Sequence, residues 1–188
     1  MDLPSDLTDL LAEVATAAEW SDDTIVVNLQ GDEPLLPSEL PSRLAEAIAA
    51  HPDAGIATMA VPIEEPSELF DPNMVKAVLD DAGYALLFSR APIPWDRDAF
   101  VAGPPATLPS GVPFLRHLGL YAYRAGTLKA IAGESASPLE QAESLEQLRA
   151  MAMGIRIHVT VLEEAPPPGI DTPADLERAQ RHYRENAR

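Results

Sequence analysis

Cysteine is absent from the 188 residues, which excludes disulfides, thiolate zinc sites and thiol catalysis. Basic residues are scarce: 13 Lys and Arg stand against 30 Asp and Glu, a formal net charge of −17. Such a field repels nucleic-acid phosphates, so nucleic acid is not an expected partner. No apolar run reaches the ~20 residues of a membrane-crossing helix, so no membrane partner is expected either. Met1-Asp2-Leu3-Pro4 has neither the basic segment nor the apolar core of a secretory signal, which points to the cytoplasm. Glycine-rich cofactor turns are missing too. The ten glycines form no GxGxxG or Walker A pattern. HExxH and GxSxG are absent, and His51, His117, His158 and His182 are dispersed along the chain.

What is present suits a single globular domain over residues 1–188: 46% hydrophobic and 23% charged residues, enough for a sizeable core. The acidic balance also constrains the ligand. A small anion would be repelled unless focal arginines and a divalent cation inverted the potential locally.

Leu7, Leu11, Val14 and Ala15 recur at helical spacing. Thr24 to Gln30 is a β-branched run that stops at Gly31, which predicts a buried strand. A helix from about Pro37 to Ala50 and a strand from Gly55 to Ile63 follow, the alternation of an α/β fold with a parallel sheet. Met74 to Leu79, Tyr84 to Ser89 and Phe114 to Tyr123 read as strands. Asp80-Asp81-Ala82-Gly83 suggests a hairpin, hence an antiparallel portion. Helices resume after Arg124, a strand follows at Ile155 to Leu162, and a last helix starts at Pro173.

Several segments have the residues for chemistry. Gln30-Gly31-Asp32-Glu33-Pro34 sits where a strand ends, the usual ligand position in open α/β sheets. Asp32 there is either a cation ligand or part of an acidic turn. In Asp171-Thr172-Pro173-Ala174-Asp175, Thr172 fits the helix N-cap and Pro173 the first turn. Asp171 is then either free for a cation or a partner in capping. Ser137 and Glu140 form a capping box. The helix they open should bury Leu139, Ala142, Leu145, Leu148 and Met151, which leaves Glu143, Glu146 and Gln147 near a solvated face. Strand alternation groups His117, Gly119 and Tyr121 on one face and Arg116 on the other. Two prolines stiffen the segment holding Trp95 and Arg97, so Arg97 is available for bidentate carboxylate recognition.

In order, NLQGDEP, DPNMVK, GYALLFSR, PIPWDRD, FLRHLGLYAYR, SPLEQAESLEQLR and GIDTPADLERA resemble the 3-deoxy-manno-octulosonate (Kdo) cytidylyltransferases, or CMP-Kdo synthetases, from about Asp22 to Glu177. The resemblance implies a three-layer, Rossmann-like nucleotide-diphospho-sugar-transferase fold with a mixed, mostly parallel sheet. It implies CTP and Kdo as substrates, CMP-Kdo and pyrophosphate as products, and a cytoplasmic homodimer serving lipopolysaccharide biosynthesis. Mg²⁺ would be the cofactor, with Asp32 and Asp171 as ligands. Gln30, Arg97, His117, Tyr121, Glu146 and Gln147 would line the Kdo site, Arg97 meeting the sugar carboxylate. The family pattern starts with a strand, a basic glycine-rich triphosphate loop and a second βα unit. At ~30 residues per unit, roughly 60–70 residues of that pattern have no counterpart before Thr24, an N-terminal truncation by expectation. Of the family's Ser-Gly-Thr-Asp-Arg segment, Thr8 and Asp9 match and Leu10 replaces Arg. Two other readings fit this pattern: an inactive remnant that folds or dimerises without binding CTP, and a transferase for another acidic sugar.

Overall fold

The computed structural model of the chain describes residues 7–29, 31, 34–167, 169–170 and 173–186. Its elements are α1 (Leu7–Ala17), β1 (Ile25–Asn28), α2 (Glu39–Ala50), β2 (Ala54–Pro62), α3 (Pro66–Leu69), β3 (Lys76–Leu79), β4 (Ala85–Ser89), β5 (Leu115–Arg124), α4 (Ala125–Ala132), α5 (Pro138–Glu143), α6 (Gln147–Ala152), β6 (Arg156–Val161) and α7 (Pro173–Asn186). Every strand expected from the sequence is found. The one-turn helix α3 is an addition, too short for any periodicity to reveal.

The strands form one six-stranded sheet in the order β4-β3-β5-β2-β6, with β1 also paired to β5. β1, β2 and β3 each run antiparallel to β5, and β6 runs parallel to β2. Four strands therefore point one way and the sheet is mixed, as expected, but it is not mostly parallel. Because the reversed strand β5 lies among them, most of the pairing is antiparallel. The β3–β4 hairpin is antiparallel as expected. Gly83 takes φ 81° at its turn, and Asp80 Oδ1 accepts from the Ala82 and Tyr84 amides at 2.9 and 2.8 Å.

Alternation along β2 and β5 sends successive side chains to opposite faces. On one face Ala57, Met59, Val61, Leu118 and Leu120 meet Leu40, Leu44 and Ile48 of α2, which repeat every four residues. Burying those three side chains contributes roughly 1.5–3 kcal/mol each. On the other face Ile56, Ala60, Tyr123 and Ile157 pack against Ala12 and Ala15 of α1, Leu128 and Ile131 of α4, and Leu148 of α6. The result is three layers. Val14 is not in the core; it is 45% exposed, because α1 turns the Thr8, Ala12 and Ala15 stripe inward.

The helix expected to run on from Ser137 is two short helices. The capping box forms as expected, but Ser144 adopts φ 53°, ψ 52° and ends α5. The break overturns the first part of the expected stripe, since Leu139 is 57% exposed and Ala142 is exposed too, whereas Leu145 and Leu148 are buried as expected. It also removes Glu143 and Gln147 from the solvated face. Glu143 accepts from Ser89 Oγ at 2.5 Å and from the Arg90 amide at 2.9 Å, which lowers its pKa against the opposing effect of burial. Gln147 is buried.

Across the break, the buried Arg149 guanidinium clasps the buried Glu140 carboxylate, Nε to Oε2 at 2.9 Å and the terminal nitrogen to Oε1 at 2.5 Å. Glu140 thus serves both the cap and the ion pair that joins α5 to α6. Removing one partner leaves a buried charge uncompensated. Arg149→Met is expected to cost about 3–5 kcal/mol in urea unfolding; a loss below about 1 kcal/mol would show that the pair does not join the two helices.

Candidate functional site

A cavity of about 400 Å³ opens between the α1 and α6 side of the sheet and the junction of α5 and α6. That volume suits a small ligand. β1 contributes Asn28, β5 contributes His117, Gly119, Tyr121 and Tyr123, α1 contributes Thr8, and the junction contributes Glu146 and Gln147. The turn before β3 supplies Asn73, Met74 and Val75. That turn is held by Lys76, whose fully buried ammonium donates to the carbonyls of Asp71 at 2.8 Å, Met74 at 2.5 Å and Arg90 at 2.6 Å. All three of its protons are satisfied, so a buried cation is tolerated although burial lowers its pKa.

The β5 wall is irregular. Thr58 pairs with Tyr121 and Met59 with Leu118, so Gly119 and Leu120 have no partner on β2, a bulge of two residues. In a regular strand His117 and Tyr121 would stand ~13 Å apart. Here their ring centroids are 5.4 Å apart. His117 also meets the buried ring of Phe88 edge-on at 4.8 Å, and burial pushes its pKa down to about 3. Burial, with smaller contributions from Tyr123 and Glu146, raises the Tyr121 pKa well above the phenol range. Both side chains are therefore neutral hydrogen-bonding groups throughout the physiological range.

Two buried amides complete the lining. Asn28 lies directly opposite Tyr121 across the β1–β5 ladder and is 7% exposed. Gln147 is equally buried, and its Nε2 has no hydrogen-bond partner among the described residues. Thr8 Oγ1 donates to Glu146 Oε2 at 2.9 Å, which fixes one carboxylate at the rim. A cavity lined mainly by neutral donors and acceptors, with Glu146 and Arg116 as its charged residues, suits a polyhydroxylated ligand.

Of the residues expected from the sequence, His117, Tyr121, Glu146 and Gln147 meet in this cavity. Arg97 does not line it; it is exposed on the loop that precedes Phe100. Gln30, Asp32 and Asp171 lie outside the described residues. Among the described residues, no three His, Asp or Glu side chains gather in a group able to hold a metal ion, and no helix is long and apolar enough to cross a membrane. Sequence reasoning missed Asn28 and Asn73 as lining residues. It singled out Thr8 only as part of a nucleotide segment, whereas the structure places it against Glu146.

The depressed pKa of His117 makes stability depend on pH. Below the ordinary histidine value of 6.5 the unfolded chain takes up a proton that the folded ring refuses until about pH 3. Stability therefore falls as pH drops through that window. Between pH 7 and pH 5 this one group should cost about 2 kcal/mol. His158, its pKa also lowered, by burial and then by the neighbouring His51, adds a decline of the same sign. Urea unfolding at the two pH values should show a smaller drop in His117→Gln than in the parent; equal drops would mean that the ring is not held neutral.

Comparison with known proteins gives the family. A sequence model of the cytidylyltransferase family matches residues 2–157. The 3-deoxy-manno-octulosonate cytidylyltransferase of Methylococcus capsulatus is 53% identical over 175 residues, covering 93% of this chain and 68% of that relative. The solved structure of CMP:2-keto-3-deoxy-manno-octonic acid synthetase complexed with CTP superposes with a TM-score of 0.83 at 37% identity, over 96% of this chain and 69% of its own. The structure of 4-diphosphocytidyl-2C-methyl-D-erythritol synthase, at 14% identity and a TM-score of 0.53 over 93% of this chain and 63% of its own, shares the fold alone. Motif order, a three-layer fold and sequence identity over nearly the whole length converge: the chain belongs to the 3-deoxy-manno-octulosonate cytidylyltransferase family.

Proposed function

We propose that this chain activates Kdo with CTP. The anomeric hydroxyl of Kdo attacks the α-phosphorus of CTP. A new P–O bond forms as the bond between the α-phosphorus and the bridging oxygen breaks, the hydroxyl proton is released, and CMP-Kdo and pyrophosphate leave. The observation that carries the reading is the convergence of His117 and Tyr121 from β5 with Glu146 and Gln147 from the α5–α6 junction on one cavity. These are the residues that the family motifs assign to the sugar.

The chain's own groups act by binding and orientation, which suits a displacement at phosphorus where the protein supplies position and electrostatics. Tyr121 keeps its proton and donates to a sugar oxygen. His117, held neutral, accepts from a sugar hydroxyl. The Gln147 amide, whose Nε2 has no partner among the described residues, and the Glu146 carboxylate engage further hydroxyls. Arg97 is proposed to meet the sugar carboxylate and Gln30 to line the same site, both on the motif match alone.

The cofactor is proposed to be Mg²⁺, held by Asp32 and Asp171. The donor set fits, because two carboxylates are the hard oxygen ligands this ion takes alongside substrate phosphates. When bound, the ion would neutralise triphosphate charge and relieve the repulsion between two anionic substrates near an acidic protein. The same reading places the chain in the cytoplasm as a homodimer supplying activated Kdo to lipopolysaccharide biosynthesis.

Pyrophosphate release from CTP, Kdo and Mg²⁺ tests the proposal. Release should vanish in Asp32→Ala and with excess chelator. Gln147→Leu should raise the KM for Kdo roughly tenfold, the equivalent of one lost hydrogen bond in a buried site. No release from a chain shown to be folded, or release undiminished in Asp32→Ala, would overturn it.

A further inference from the structure

Thr58 lies beneath the cavity on β2, is completely buried, and belongs to no motif discussed above. Its hydroxyl oxygen has three polar neighbours, all on the bulged stretch of β5: the Leu120 carbonyl at 2.7 Å, the Leu118 carbonyl at 3.1 Å and His117 Nε2 at 2.9 Å. A hydroxyl has one proton to give and lone pairs to receive with. Carbonyl oxygens only accept, so the Thr58 proton belongs to the nearer one, that of Leu120. His117 Nε2 must then be the donor. Were the threonine proton turned to Nε2, two carbonyl oxygens would face the hydroxyl lone pairs at 2.7 and 3.1 Å with no hydrogen between them.

The hydrogen bond therefore selects a tautomer. With the proton on Nε2, a neutral imidazole carries a lone pair on Nδ1. Nδ1 makes no hydrogen bond with the described residues and is not sealed from solvent, in a ring that lines the cavity. By donating to the Leu120 carbonyl, the same hydroxyl anchors the unpaired stretch of β5 that brings His117 to within 5.4 Å of Tyr121. A Cβ on Gly119 itself would meet nothing within 4 Å, so the bulge is held from beneath, by Thr58, rather than by crowding above.

We propose that Thr58 is the positioning residue of sugar recognition: its hydroxyl fixes His117 as the Nε2-protonated tautomer and pins the β5 bulge, so that Nδ1 is presented to a hydroxyl of the acidic sugar as an acceptor. The identity of the ligand rests on the cytidylyltransferase reading, whereas the tautomer and the bulge do not. Isosteric loss of the hydroxyl in Thr58→Val leaves Nε2–H without an acceptor and favours the opposite tautomer, which turns Nδ1 into a donor.

The test uses the whole chain as parent, Thr58→Val and Thr58→Ser. Nitrogen NMR of the imidazole, with the His117 signals identified by their loss in His117→Gln, should show the proton on Nε2 in the parent and Thr58→Ser. It should show a shift toward Nδ1 in Thr58→Val. In turnover, Thr58→Val should raise the KM for Kdo about tenfold or more while the KM for CTP stays within about twofold. Thr58→Ser should restore both readouts. An Nδ1–H tautomer in the parent, an unchanged KM for Kdo in Thr58→Val, or a serine variant as impaired as the valine one would each overturn the proposal. So would parallel rises in both KM values. If the parent releases no pyrophosphate, the cytidylyltransferase reading fails separately, and the tautomers in the unliganded chains still decide whether Thr58 sets the ring. If Thr58→Val does not fold, the tautomers of the parent and of Thr58→Ser decide it.

Discussion

Strand β5 is paired on both edges, and the two residues its neighbour β2 leaves unmatched turn a sheet into a site. Ladder hydrogen bonds to β1, β2 and β3 hold the strand in place, so the excess chain at Gly119 and Leu120 cannot be absorbed by sliding. It is taken up as a bulge, and the bulge folds His117 back towards Tyr121. A one-residue slip would exchange the faces of the strand and send both rings towards α2. The apolar contacts of Leu118 and Leu120 with α2 oppose that slip. The core on one face thus fixes the register of the cavity on the other.

The electrostatics of the cavity run against those of the whole molecule. The chain has a formal charge of −17, yet most of the polar lining is neutral, with Arg116 and Glu146 the charged exceptions. Burial holds His117 deprotonated and Tyr121 protonated, and Asn28 and Gln147 carry no charge at all. Neutral donors and acceptors in a half-enclosed space bind hydroxyls without the desolvation cost of a charge. Charged work is left to carboxylates near the ends of strands and helices. Glu146 is anchored by Thr8, and Glu143 is turned away from the cavity to cap the end of β4 through Ser89 and Arg90.

Much of this was legible in the sequence. The β-branched run at Thr24 to Gln30, the strand pattern through Phe114 to Tyr123 and the capping box at Ser137 each state their own local structure, because they depend on neighbours in the chain. His117, Tyr121, Glu146 and Gln147 were legible as a set through motif order. What escaped was decided at a distance. The position of β5 between its neighbours follows from pairing, which local pattern does not encode. The break at Ser144 overrode a good helical stripe because Glu143 and Gln147 gain partners or burial by leaving it. Asn28 reads as the polar end of a strand until β5 is laid beside it, and Thr58 reads as an ordinary strand threonine until the bulge is seen.

On the proposed reading, the cavity between β5 and the α5–α6 junction receives the acidic sugar. A crystal structure of the chain grown with Kdo tests this most directly. The sugar is expected in that cavity, with hydroxyls within hydrogen-bond distance of His117 Nδ1, the Tyr121 phenol and the Gln147 amide. A sugar bound elsewhere on the sheet, or a cavity left empty at saturating Kdo, would contradict it.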